Sequence, residues 1–167
     1  MVFAMAPLSL DEHLCFALYS ASRAMTAAYR PLLAELGLTY PQYLVLLVLG
    51  EEGSISVGRL GDRLQLDSGT LSPLLKRMEA GGIVRRRRSA TDERQVEVTL
   101  TAAGARMQRK AGCIPEQLFS LTGLTADEAA DLRNSIARLT ASLTDSAPSD
   151  TPITSGHPES SVKPSNS

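Results

Sequence analysis

The stretch DSGTLSPLLKRMEAGGIVRRRRSATDERQVEVTL, residues 67–100, decides the fold. Asp67 is a good N-cap, and Ser68 to Ala80 reads as a helix ended by Gly81-Gly82. Pro73 lies inside that helix, where it removes a backbone hydrogen bond and conflicts with the pattern around it. Ile83 to Arg88 and Gln95 to Leu100 then read as two strands, with Ser89 to Arg94 as a polar turn between them.

Upstream, Gly53-Ser-Ile-Ser56 reads as a break that ends in a Ser cap, followed by a short helix with Val57, Leu60 and Leu64 on its apolar side. Gln65-Leu66 is a tight connection to Asp67. The order is therefore helix, tight turn, helix, strand, charged turn, strand. A helix-turn-helix followed by a hairpin wing has this order. The expected fold class is mainly α with a small β wing.

Charge distribution agrees. The chain carries a net −1, yet Val57 to Lys110 holds twelve basic residues against six acidic ones, a net of +6, and the rest of the chain carries −7. A basic middle between acidic ends is the electrostatic footprint of a module that binds double-stranded DNA. In such a unit the second helix enters the major groove. Ser68, Gly69, Thr70 and Ser72 are short residues at its start, where helix amides also favour an anion, and Lys76 and Arg77 follow. Arg86, Arg88 and Arg94 on the wing are candidates to reach minor groove or phosphate, and Asp92 joins them among the candidate DNA-binding residues. The bland alternative is that Arg85 to Arg88 is a solvated charge run.

Around this module the chain reads as helices. Ser9-Leu-Asp-Glu12 has capping-box form and opens a helix from Leu10 to Tyr29, stopped before Pro31, with a short piece from Leu32 to Leu36. Thr39, with Gln42 three residues on, caps a helix through the apolar run Tyr43 to Leu49. Thr101 caps a helix reaching about Phe119, bent at Pro115. Thr125-Ala-Asp-Glu128 opens a last amphipathic helix with Ala129, Leu132, Ile136 and Leu139 on one face. Residues 1–144 form the expected domain, and 145–167, rich in Pro, Ser and Thr, an expected disordered tail.

At 167 residues, 43% hydrophobic and 21% charged, the chain has the composition of one soluble domain. No apolar run reaches a bilayer-spanning length, the N-terminus lacks the basic region of a signal peptide, and no membrane partner is expected. The expected compartment is the cytoplasm. There is no Gly-rich phosphate loop, no paired histidine and no metal-ligand cluster, so no cofactor, metal or catalytic site is expected. The two cysteines, Cys15 and Cys113, are either inert buried thiols or a redox pair.

Two segments carry a resemblance. LLKRMEAGGIV, residues 74–84, and RRRSATDERQVEVTLT, residues 86–101, resemble the MarR family of regulators, with Asp92-Glu-Arg94 the most specific part. LCFALY, residues 14–19, and TYPQYLVLLVL, residues 39–49, resemble its organic hydroperoxide-sensing branch. The resemblance implies an intertwined homodimer held by the terminal helices and a pseudo-palindromic operator. It further implies a peroxide-reactive thiol at Cys15, hydrogen-bonded by Tyr29 and Tyr40 with Tyr19 nearby, and oxidation by an organic hydroperoxide that releases the repressor. A sulfenic acid on Cys15 can condense with a second thiol, and Cys113 is the one candidate in the chain, in an intersubunit disulfide. His13 departs from the polar amide usual at its position in the family. Two rival functions remain open: a repressor released by a phenolic or drug-like ligand without thiol chemistry, and a thiol peroxidase.

Overall fold

A computed structural model describes residues 9–89 and 92–145. The chain divides into two units, Met1–Gly123 and Leu124–Ser167. In the first, the Ser9 N–H donates to Glu12 at 2.8 Å, as its capping pattern predicts. It caps only one 3-10 turn, Leu10–Glu12, and helix α1 (Leu14–Ala34) begins after His13.

Helix α1 does not stop before Pro31 but runs through it, joining the two expected pieces. An internal proline costs about 3 kcal/mol. Burial of Leu33, with Leu32 and Leu36 packed on the same core, offsets it, since each buried leucine contributes about 1.5–3 kcal/mol. The helix ends in a Schellman motif: the Leu38 N–H reaches the Leu33 carbonyl and the Gly37 N–H that of Ala34, each at 3.0 Å, with Gly37 at φ +66°.

Helix α2 (Tyr40–Glu52) begins where Thr39 predicts, the Thr39 N–H donating to Gln42 at 2.8 Å. Tyr43, Val45, Leu46, Val48 and Leu49 are all buried, so this helix forms the centre of the core. Residues 54–56, read as a break, are instead strand β1 (Ser54–Ser56). Three residues are too few to show a period of two, and the partner strand lies some forty positions away, where no local pattern can reveal it.

Helix α3 (Val57–Leu64) and helix α4 (Ser68–Ala80) form the helix-turn-helix. Ser56 caps α3, accepting from the Arg59 N–H at 3.3 Å, and Asp67 caps α4, accepting from the Thr70 N–H at 2.8 Å. The turn passes through Gln65 at φ +53°, the one non-glycine with positive φ among the described residues. Pro73 stays inside α4 while Leu71, Leu74, Leu75 and Met78 bury its inner face. Strands β2 (Val84–Arg88) and β3 (Val96–Leu100) make the wing, and the antiparallel order β1-β3-β2 puts β3 in the middle. Ile55 pairs with Val98 and Arg86 with Val98 on the other side.

The expected single helix after the wing is two helices. Helix α5 (Ala102–Lys110) and helix α6 (Ile114–Thr122) are joined by a 3-10 turn, Ala111–Cys113. Pro115 sits in the first turn of α6, where its missing N–H costs least, so the bend falls just ahead of it. Residues 90 and 91 of the expected wing turn lie outside the described residues.

The second unit contains helix α7 (Ala126–Asp145). Its predicted capping box forms, the Thr125 N–H donating to Glu128 at 2.8 Å and the Glu128 N–H to the Thr125 hydroxyl at 3.3 Å. Those Thr125 bonds hold the Glu128 carboxyl below its ordinary range. Leu132, Ile136 and Leu143 are exposed along α7. Of the expected tail, Asp145 ends this helix and residues 146–167 lie outside the described residues. No helix among the described residues is long and apolar enough to cross a membrane.

One glycine fixes how α5 docks. A Cβ on Gly104 would stand 2.1 Å from the Ile83 carbonyl oxygen, which is backbone and cannot step aside. A Cβ on Gly58, within α3, would meet nothing within 4 Å. Gly104→Ala is expected to destabilise the protein by about 1–3 kcal/mol or more, and Gly58→Ala to stabilise it by roughly 0.5–1 kcal/mol. Denaturant unfolding of the two variants checks both signs.

Candidate nucleic-acid interface and thiol sites

The N-terminal end of α4 is open. Ser68, Gly69 and Thr70 are exposed and Ser72 half-buried, while Lys76 and Arg77 are exposed farther along. Asp67 organises this end, accepting from the Thr70 N–H and, at 2.9 Å, from its hydroxyl. These bonds hold the Asp67 carboxyl below its ordinary value. The Thr70 hydroxyl proton is therefore committed to Asp67, and its oxygen remains to accept.

Between α3, α4 and the wing lies a cleft of about 690 Å³. Ser72, Arg86 and Arg94 line it together, with Arg59, Asp62 and Gln95. The structure thus brings three of the predicted contact residues to one concavity. The wing's far end is ordered by Asp92, which accepts from the Arg94 N–H and from the Gln95 side-chain amide, each at 3.0 Å. Asp92 shapes the turn that carries Arg94.

Not every arginine in the basic stretch is equally available. Arg86 is clamped by Glu79, its backbone N–H and Nε donating at 2.9 Å each and its Nη2 at 2.7 Å. Nε and Nη2 share one carboxylate oxygen and the backbone N–H takes the other, and these bonds tie the end of α4 to the base of the wing. Arg59 pairs with Glu52 at 2.9 Å, and Arg63 with Glu51 at 2.8 Å and also with Glu52. Three of the twelve basic residues therefore act first as struts, two of them toward acids that precede the stretch. Glu79 and Glu97 hold neighbouring elements together and were not singled out from the sequence. Glu97 accepts from Ser54 at 3.3 Å and Ser89 at 3.0 Å, linking β3 to β1 and to the residue that follows β2. An acid closing a helix ahead of four arginines was the available signal for Glu79.

The thiols lie on other elements. In the single chain Cys15 is exposed in the first turn of α1, and Cys113 is exposed in the turn before α6. Tyr19 follows Cys15 by one helical turn. Its hydroxyl accepts from Arg23 at 2.9 Å, and the same guanidinium lies 5.5 Å from its ring centre. Tyr29 and Tyr40 come together, ring centres 4.8 Å apart, but Tyr43 completes the group at 5.5 and 6.4 Å. Tyr43 was also missed, although Tyr40-x-x-Tyr43 is spacing that places both on one helix face. Burial, then the neighbouring Tyr40, pushes the Tyr29 phenol above its ordinary value.

Within one chain, Cys15 makes no hydrogen bond to Tyr29 or Tyr40. Cys15 and Tyr29 are fourteen residues apart on one helix, about 21 Å along its axis at 1.5 Å per residue. Side chains cannot span that distance, so a Cys15–Tyr29 contact needs a second copy of the chain.

The MarR family profile matches residues 36–95. The chain is 44% identical over 136 residues to the organic hydroperoxide resistance transcriptional regulator of Bacillus subtilis, covering 81% of this chain and 92% of that one. The chain belongs to the MarR family. It is a transcriptional regulator of that family with its winged helix. A second relative, the HTH-type transcriptional regulator TtmR of Methylorubrum extorquens, is 54% identical over 133 residues, 80% of this chain and 68% of TtmR. Among solved structures, reduced AbfR of Staphylococcus epidermidis bound to DNA is similar at TM-score 0.65 and 36% identity, over 81% of this chain and 94% of that one. The family profile spans α2 to β2 and stops before β3, so it covers every cleft residue but Val96 and neither cysteine.

The Glu79–Arg86 clamp of this MarR-family winged helix has a measurable consequence. Arg86 holds the Glu79 carboxyl below its ordinary value, chiefly through the side-chain hydrogen bonds. A depressed carboxylate contributes stability that is fully present above its unfolded pKa and is lost as pH falls through the folded one. Titration of the Glu79 carboxyl by NMR should give a midpoint below that of an exposed glutamate. In Arg86→Met the midpoint should return to the ordinary range.

Proposed function

We propose that this regulator is a cytoplasmic, redox-responsive repressor that binds operator DNA as a homodimer and lets go when an organic hydroperoxide oxidises Cys15. The observation that carries the reading is the exposed thiol of Cys15 on α1, in a chain 44% identical to an organic hydroperoxide resistance regulator. Support for DNA binding comes from the cleft beside the open end of α4 and from AbfR and MarR, both of them structural neighbours solved with DNA. A dimer is favoured by the length of α1, which lets Tyr29 meet only another copy's Cys15. Exposed Leu14, Tyr19 and Met25 on α1 and Phe119 and Leu121 on α6 give such a copy apolar surface to cover.

On this reading Ser68, Gly69, Thr70, Ser72, Lys76 and Arg77 meet the major groove, while Arg88 and Arg94 meet minor groove or phosphate. Arg86 holds the wing at its angle and faces the same cleft. A two-fold dimer implies a pseudo-palindromic operator.

In the sensing step the Cys15 thiolate attacks the terminal peroxide oxygen. The O–O bond breaks, the alkoxide leaves and takes up a proton as the alcohol, and Cys15 becomes a sulfenic acid. The Cys113 thiolate of a second copy then attacks the sulfenic sulfur. An S–S bond forms and hydroxide leaves as water. Tyr29 and Tyr40 from the second copy donate to the Cys15 sulfur and favour its ionised form.

Gel shifts on a palindromic operator test this reading with reduced protein, protein treated with cumene hydroperoxide, and Cys15→Ser. Reduced protein and Cys15→Ser should bind, oxidant should release the former, and Cys15→Ser should stay bound in oxidant. Release of Cys15→Ser by oxidant, or retention of the oxidised wild type, overturns the switch. A covalent dimer should run on non-reducing gels and vanish in Cys113→Ser.

A further inference from the structure

The four arginines of β2 do not form one patch. Side chains along a strand alternate between its two faces, and the register assigns each arginine a side. Arg86 lies across from Val98 and Arg88 across from Val96. These two share the inner face, where Val84, Ile55 and Val98 are buried and Arg86 lines the cleft. Arg85 lies across from Thr99 and Arg87 across from Glu97, so both stand on the opposite, outer face. There β1 adds Ser54 and Ser56, paired with Thr99 and Glu97. None of these six outer-face residues is buried, and Arg85 and Arg87 are exposed.

The outer face offers donors. Two arginines against one glutamate leave it with a net charge of +1. Glu97 stands directly across from Arg87, the setting in which opposite charges on neighbouring strands pair. Yet among the described residues neither Arg85 nor Arg87 has an ion-pair partner. Glu97 is engaged elsewhere, one carboxylate oxygen accepting from Ser54 at 3.3 Å and the other from Ser89 at 3.0 Å. The acid of this face is thus held by hydroxyls, and the two guanidiniums keep their donors for something outside the chain.

Charge and continuity together say what that is. The face carries no apolar side chain for an apolar partner to cover, and free guanidiniums match phosphate oxygens. The opposite side of the same strand already belongs to the cleft beside the open end of α4. Arg87 stands at the last position that β1 supports, since Ser56 pairs with Glu97 and beyond it β2 pairs with β3 alone. A hairpin that enters a groove of duplex DNA has a sugar–phosphate ridge on either side of it. A strand with arginines on both faces can engage both ridges.

We propose that the outer face of the wing sheet is a second phosphate-contact surface, on which Arg85 and Arg87 grip the strand of the operator duplex that the cleft does not face. The inference rests on the reading that this chain binds operator DNA, and it extends that contact from one side of the wing to both. These contacts go to backbone phosphate, so they add affinity and fix the position of the wing without reading bases. Glu97, held by Ser54 and Ser89, leaves Arg87 to the phosphate.

The test uses the reduced full chain and a fluorescent palindromic operator duplex, with affinity measured by anisotropy across a salt series. Three double variants are compared with the wild type: Arg85→Gln with Arg87→Gln, Arg85→Lys with Arg87→Lys, and Arg106→Gln with Arg109→Gln. The last pair removes the same charge from exposed positions on α5. Each phosphate contact contributes about 0.9 to the slope of log affinity against log salt, so a dimer that loses four contacts should show a slope shallower by about 3.6. Affinity at moderate salt should fall about tenfold or more, and by a like factor on a scrambled duplex. The Lys pair and the α5 pair should both keep the wild-type slope. An unchanged slope in the wing Gln pair overturns the proposal, and is the result expected if this face serves an acidic protein instead. Equal flattening by the α5 pair overturns it too, because bulk charge then explains the effect. Should the wing Gln pair misfold, phenylglyoxal labelling of the wild type, read by mass, decides instead. Bound operator should protect Arg85 and Arg87, and equal labelling with and without operator overturns the proposal. A wild type that binds no duplex brings down the DNA-binding reading itself, whereas a wild type that binds no better than its wing Gln pair brings down this inference alone.

Discussion

Helix α2 is the constraint on which the rest depends. Its apolar residues face every direction, and five of its thirteen positions are fully enclosed. A helix apolar all round has no solvent face and must be surrounded. Helices α1, α3, α4 and α5 and strands β1 and β3 all pack on it. Removing a large side chain from such a helix disturbs several elements at once, because close-packed interiors transmit strain rather than absorb it.

That central position also connects two chemistries. At its C-terminal end, Glu51 and Glu52 hold Arg59 and Arg63 and so fix α3 at the edge of the cleft. At its N-terminal end, Tyr40 and Tyr43 meet Tyr29 from α1. One rigid rod thus carries the aromatic cluster at one end and an anchor of the helix-turn-helix at the other.

Electrostatics near the wing divides between holding and offering. Glu79 and Glu97 are few against the surrounding arginines, yet each sits where two elements must be joined. Exposed ion pairs contribute little when isolated. The Glu79–Arg86 pair is partly shielded, and with both carboxylate oxygens engaged, one by the guanidinium and one by the backbone N–H, it fixes geometry as well as charge. These bonds hold the wing against α4 through Arg86, which leaves Arg85, Arg87, Arg88 and Arg94 as the exposed arginines of the wing.

The helix-turn-helix, the wing and the caps at Thr39, Ser56, Asp67, Thr101 and Thr125 were legible in the sequence, because each depends on residues within a few positions of one another. The basic middle was legible too, since charge adds along a chain. The run of α1 through Pro31, strand β1 and the struts on Arg59, Arg63 and Arg86 were not. Each arises from a contact between distant segments whose burial or pairing outweighs local preference. The two cysteines show the same division. By itself, the sequence determined that two thiols and four tyrosines exist, with LCFALY around one of them. Only the tertiary structure decided that both thiols are exposed in the single chain, that Tyr29 lies too far along α1 to reach its own Cys15, and that Tyr43 is buried with a hydroxyl and, among the described residues, no partner. Helix rise and core packing place those groups, and both are properties of three dimensions that spacing along the chain does not record.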